Sequence, residues 1–146
     1  MKISKNNKFL GMLVFLLISS ISISGQYKNA LISRMSDFRN SVFANVDEGN
    51  DFEQKEALRK TEEEWDKELN IVYQKIMKVA DAVTKNKLRN AQRAWIKFRD
   101  SEVEKSYYTN NPNGGSMGIL FSLNTAAKLT EERAVQLAEM YDALDK

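Results

Sequence analysis

The chain has 146 residues, 22 of them basic and 20 acidic, a length that supports one core of modest size rather than two domains. It contains no cysteine and no histidine, which excludes cysteine nucleophiles, histidine general bases, disulfide staples and nearly all zinc sites. The formal net charge of +2 comes with no basic cluster interleaved with aromatics, so no nucleic-acid partner is expected.

At the N-terminus, Lys2, Lys5 and Lys8 precede an apolar run from Phe9 to Ile18, and small residues follow from Ser19 to Gly25. That order is the pattern of a secretory signal peptide. It predicts removal of residues 1–25 on export and a single helical domain over residues 26–146, periplasmic or secreted. The competing reading is a membrane anchor, but a span needs roughly 20 predominantly apolar residues and serines enter this run after about ten. The cut can fall anywhere from Ser22 to Gly25, where Ser22, Ser24 and Gly25 offer a small residue before the bond. No cysteine is present to carry a lipid, so the processed chain is expected to have no stable membrane span. Removal takes three basic residues and no acidic one, leaving 19 against 20 and a formal charge of −1. The pI of 8.7 then belongs to the precursor.

From Tyr27 to Val46, apolar residues at 27, 31, 35, 38, 42 and 46 recur in steps of three and four, the spacing of one helical face. Asp47 to Asn50 is a polar break whose Gly49 can end that helix. Leu58, Thr61, Trp65, Leu69, Val72, Ile76 and Val79 continue the spacing without proline or glycine, predicting the longest helix over about 51–80. A third helix is expected over about 86–106, with Leu88, Ala91, Trp95 and Phe98 on its stripe and a poor fit at Glu102. The short polar link at 84–86 makes the second and third helices an antiparallel hairpin. The stretch YYTNNPNGGS at 107–116 reads as a loop, because glycine supplies positive φ and asparagine tolerates it. Helical spacing resumes at Met117. Thr130, followed by Glu131 and Glu132, has the form of an N-cap with acidic first-turn residues, so the last segment is one helix or two. The expected fold is all-α, a small helical bundle of four to five helices around a long central hairpin, with no strand pattern.

Three features invite a functional reading. The densest is AQRAWIKFRD at 91–100, where Trp95 and Phe98 lie three apart and share a face, the pattern of a core anchor. Arg93, Arg99 and Asp100 beside them fit an ion-pair network at the edge of the core, or a ligand site. Charge is the second feature. Residues 47–68 hold ten acidic and four basic side chains, whereas 69–105 hold nine basic and four acidic. The plain account is compensation between neighbouring helices and solvated faces, each exposed pair worth about 0 to 1 kcal/mol. The functional account is that Glu62, Glu63, Glu64 and Asp66 present a negative field to a cationic partner and speed its association. The third is the 107–116 segment, where Tyr107, Tyr108, Asn110, Asn111 and Asn113 form either a connector or a mobile arm that enters a cleft. No carboxylate pair has a spacing that identifies a glycosidase, and residues 47–51 lack the full ligand loop of an EF-hand. No catalytic residue, cofactor or metal is therefore expected.

The segment AQRAWIKFRD, preceded by DKELNIVYQKIM at 66–77 and followed by GGSMGILFSLNTAAKLTEER at 114–133, resembles the LprI-type lysozyme inhibitor domain family. The blocks occur in the family's order and cover most of residues 55–140. The motif positions that carry the likeness are Trp65, Leu69, Tyr73, Gln92, Arg93, Trp95, Phe98, Arg99 and Asp100. The resemblance implies a small exported bacterial helical domain that binds and inhibits lysozyme or another cell-wall hydrolase, without chemistry of its own. Two other readings stand beside it, a periplasmic adaptor that docks onto another envelope protein and a carboxylate-dependent cell-wall hydrolase. Family members usually carry cysteines near the positions of Ala57, Val103 and Thr125 here, so the resemblance implies disulfides that this chain replaces with packing.

Overall fold

The computed structural model describes residues 25–109, 113 and 115–144. These form four helices, α1 (Gln26–Phe43), α2 (Asp51–Val79), α3 (Ala82–Thr109) and α4 (Gly115–Leu144), with no strand among the described residues. The fold is all-α, as the periodicity implies. The segment expected to be a signal peptide, apart from Gly25, and Asn110 and Asn111 lie outside the described residues.

Local chemistry sets each helix boundary. α2 opens with a reciprocal cap, in which Asn50 Oδ1 accepts from Glu53 N at 3.2 Å while Asn50 Nδ2 donates to Glu53 Oε1 at 2.9 Å. α1 has no cap of its own in sequence. Asp142, in the last turn of α4, instead accepts from Tyr27 N and Lys28 N at 2.9 Å each, placing a carboxylate on the positive end of α1.

Several expected boundaries move. α1 stops at Phe43 rather than Val46, with Ala44 as its C-cap, so Gly49 does not end it. Gly49 N donates instead to Asp47 Oδ1 at 2.8 Å, in a turn of the connector. The joint between α2 and α3 lies at Ala80 and Asp81 rather than at 84–86. Asp81 accepts from Thr84 N at 2.8 Å and from Thr84 Oγ1 at 2.9 Å, so the supposed link is the first turn of a capped helix. Those same bonds hold the Asp81 carboxyl below its ordinary range. At its other end α3 runs through Tyr107 and Tyr108 to Thr109, shortening the loop. Thr130 is no N-cap. It is fully buried in the middle of a continuous α4, and its hydroxyl has no partner among the described residues. The acidic pair after it does not break the helix, because nothing from Ser122 to Leu144 is a glycine or proline.

Contacts give the helix directions. Arg34 reaches Glu68 and Tyr27 lies near Lys75, so α1 and α2 are antiparallel. Gln92 meets Arg133 and Tyr107 meets Gly118, so α3 and α4 are antiparallel. The result is an up-down-up-down bundle. α4 is its centre and packs against all three other helices, α2 most extensively. Ala127, Ala134 and Ala138 on α4 are buried, and their small side chains permit that approach. The core joins Leu31 and Met35 of α1, Trp65, Leu69, Val72 and Ile76 of α2, Leu88 of α3 and Leu137 of α4.

α3 is the outlying helix. Its packing is on α4 and direct packing against α2 is sparse, so Leu88 is its one buried residue among the described residues. The expected core anchor is accordingly split. Trp95 is half-buried against the core, whereas Phe98 is 52% exposed. A helix with one covering neighbour buries only a narrow stripe, and Phe98 lies off it.

Candidate functional site

Because α4 fills one side of the α2/α3 hairpin and the arms make little contact with each other, a groove opens on the remaining side. Residues Asp66, Leu69 and Tyr73 on α2 are spaced by three and four, as are Arg89, Gln92, Trp95 or Ile96, and Arg99 on α3, so each set forms one wall. They line a recess of about 430 Å³. A second recess of about 460 Å³, lined by Glu62, Glu63, Asp66, Lys67 and Arg99, shares Asp66 and Arg99 with the first. The two recesses adjoin there along the groove.

The floor is apolar and the ends are charged. Leu69 is buried, Trp95 is half-buried and Ile96 is 43% exposed. Arg99 stacks its guanidinium 5.2 Å from the Trp95 ring centroid and donates from Nε and Nη2 to Asp100 Oδ1 at 3.0 and 2.9 Å. Gln92 is held from behind, since its Oε1 accepts from Arg133 Nε at 2.6 Å across the α3/α4 interface. Burial lowers the pKa of that arginine, which still gains hydrogen bonds from Gln92 and Gln136. On the α2 wall, Asn70 Nδ2 donates to Asp66 Oδ2 at 3.0 Å and fixes the carboxylate. Burial pushes the Glu62 carboxyl above its ordinary range, with Asp66 and Glu63 adding to the rise and Arg99 opposing it.

Ion pairs between helices join α1 to its neighbours, Lys28 to Glu139 and Arg34 to Glu68, rather than the oppositely charged arms α2 and α3. Lys55–Asp51, Arg59–Glu56, Lys67–Glu64 and Lys105–Glu102 are pairs within one helix. Among the described residues no ion pair joins α2 to α3. Arg93, expected in an ion-pair network, has no carboxylate partner among the described residues, and of that trio only Arg99 and Asp100 pair. The groove therefore keeps an acidic end at Glu62, Glu63 and Asp66 and a basic end at Arg89 and Arg93.

The other candidates lie elsewhere. Glu64 does not line either recess but is paired at 2.9 Å with Lys67, which does. Tyr107 belongs to the α3/α4 joint: its hydroxyl accepts from Gly115 N at 3.0 Å, and its ring meets Tyr108 edge-on at 4.8 Å between centroids. Tyr108 is 55% exposed and Asn113 is exposed. The structure thus brings Glu62, Glu63 and Asp66 together with Leu69, Tyr73, Gln92, Arg93, Trp95 and Arg99, and leaves the tyrosine loop apart. Sequence reasoning missed Arg89, Ile96 and Arg133, although the first two follow from the same helical spacing that places Gln92 and Arg99. It also missed the buried Glu68, whose Oε1 accepts from Arg34 Nε at 2.8 Å.

No helix among the described residues is long and apolar enough to cross a membrane. Comparison with curated proteins and with solved structures gives no match. The family model described as lysozyme inhibitor LprI matches residues 44–137, which takes in α2, α3 and most of α4 and so both walls of the groove. The match covers more than half of the chain, and the chain therefore belongs to the LprI lysozyme inhibitor family.

Proposed function

We propose that this protein is an exported, non-catalytic binding protein that engages lysozyme, or a related cell-wall hydrolase, and blocks it. The observation that carries the reading is the family match over residues 44–137. The groove supports a binding role over a catalytic one, because its acids, Glu62, Glu63 and Asp66, all lie on the α2 wall. A glycosidase needs two carboxyl groups flanking the scissile bond. The N-terminal pattern of basic, apolar and small residues supports export, which would put the protein where lysozyme acts.

The test is lysis of a cell-wall suspension by lysozymes of several structural types, with and without the purified secreted protein. A concentration-dependent fall in the lysis rate at micromolar protein is expected for at least one type. Unchanged rates for every type would dispose of the inhibitor reading.

A further inference from the structure

The α2/α3 groove carries acids at one end, arginines at the other and an apolar floor between them, and among the described residues its lining comes from α2 and α3 alone. Its acidic end is short of cations. Arg99, the one arginine beside it, is already stacked on Trp95 and bonded to Asp100, and Lys67 is bonded to Glu64. At the other end, Arg93 has no acid partner among the described residues and Arg89 is bonded to Asn86, a neutral side chain. In the middle, Ile96 is 43% exposed against the half-buried Trp95. Solvated side chains on one helix normally find partners on the next. Here, among the described residues, no ion pair spans the two walls, and only Arg99 offsets the acids from across the groove.

The antiparallel register places Arg89 and Arg93 opposite the Leu69–Tyr73 stretch of α2, about seven residues along the helix from the Glu62–Asp66 turn. At 1.5 Å rise per residue that is roughly 10 Å, a distance an extended chain covers in about three to four residues. Alternate side chains of an extended segment point the same way. A lysine or arginine, an apolar residue two positions on, and an acidic residue two beyond that would meet the acids, the floor and the arginines in turn.

We propose that this groove docks an extended segment of a partner protein that carries a cation and a carboxylate four positions apart around an apolar residue. Charge complementarity sets the direction in which the segment lies and raises the encounter rate, while the Trp95–Ile96 floor contributes the area removed from water. The inference rests on the binding-protein reading but not on lysozyme being the partner, so the two can fail separately.

The experiment titrates the ¹⁵N-labelled secreted protein with the end-blocked peptide Lys-Ala-Leu-Ala-Glu at millimolar concentration, followed by amide and indole chemical shifts. Saturable shifts are expected at the Trp95 indole and at the amides of Glu62, Asp66 and Gln92, while the buried Trp65 indole stays in place as an internal control. Replacing the peptide lysine by norleucine, or the protein residues by E62Q and E63Q together, should weaken binding by about fivefold or more. Glu63 is exposed and Glu62 half-buried on a single wall, and the variant keeps their shape, so loss of binding is not loss of fold. The same spectra check this through the Trp65 signal. Absence of saturable shifts, shifts confined to residues outside the groove, or the same affinity in the E62Q/E63Q protein would each overturn the proposal. None of these readings needs a lysozyme, so a protein that inhibits no lysozyme yet binds the peptide keeps the groove and loses the inhibitor assignment.

Discussion

Gly118 shows how tightly one residue can be specified. A Cβ there would lie 2.6 Å from the Tyr107 carbonyl oxygen and 3.1 Å from two atoms of its ring, and the backbone atom cannot swing aside. Gly118→Ala should therefore destabilise the bundle by about 1 to 3 kcal/mol, the range for overpacking, measured as a lower urea midpoint with an unchanged slope. Gly115 is the contrast, with φ +78 and nothing within 4 Å of its Cβ position. Alanine there meets only backbone strain, about 1 to 2 kcal/mol. Glu62 supplies a prediction in pH. Burial raises its carboxyl above the ordinary value of 4.5 in the fold, so the fold favours the neutral form. The contribution to stability is fully present below about 4.5 and is lost as pH rises through the folded value. E62Q, always neutral, should melt slightly higher than the parent at pH 7. The gap should close as pH falls below 4.5, and thermal melts at stepped pH would show it.

At the scale of the element, α1 is attached through polar contacts to α2 and α4 and through a buried apolar face that includes Leu31 and Met35. The Asp142 carboxylate caps its first turn, and Arg34 bonds Glu68, which is only 6% exposed. Arg34→Met would leave that buried carboxylate without its cation. It should cost about 1 to 3 kcal/mol, and adding Glu68→Gln should recover part of the loss. A double-mutant cycle by urea denaturation measures both. These contacts also mark what could and could not be read from the chain. The stripe of Leu58, Thr61, Trp65, Leu69, Val72 and Ile76 was legible because burial at helical spacing leaves a periodic trace. The Asp142 cap was not, since it joins residues more than a hundred positions apart. Asp81 and Thr130 mislead in opposite ways: both have cap chemistry, but only Asp81 follows an extended residue, Ala80. Thr130 lies where packing against α2 carries the helix through. The groove was half legible. Its residues stood out as a motif, but AQRAWIKFRD reads equally well as core. Only the sparse packing between α2 and α3 turns Arg93, Ile96 and Phe98 outward.

For the whole molecule, the absence of cysteine and the helix arrangement bear on each other. The Gln92–Arg133 and Tyr107–Gly118 contacts fix the antiparallel register of α3 and α4, and this register puts Val103 and Thr125 within about one turn of each other. Two of the positions where the family resemblance implies cysteines therefore lie at similar heights on α3 and α4, and the Arg133–Gln92 bond joins the same two helices about three turns away. The outlying α3 is in this way held to α4 and kept off α2, which leaves a bipolar groove along the part of the chain that matches the family. A protein with the proposed binding role should form a discrete complex, and the most direct test of the central claim is calorimetric titration of purified residues 26–146 with lysozymes of several types. The account predicts saturable binding at one site for at least one of them, weakening as salt is raised because charge contributes to it. Titrations that give no binding heat and no complex on a sizing column, for every lysozyme type and at low salt, would contradict it.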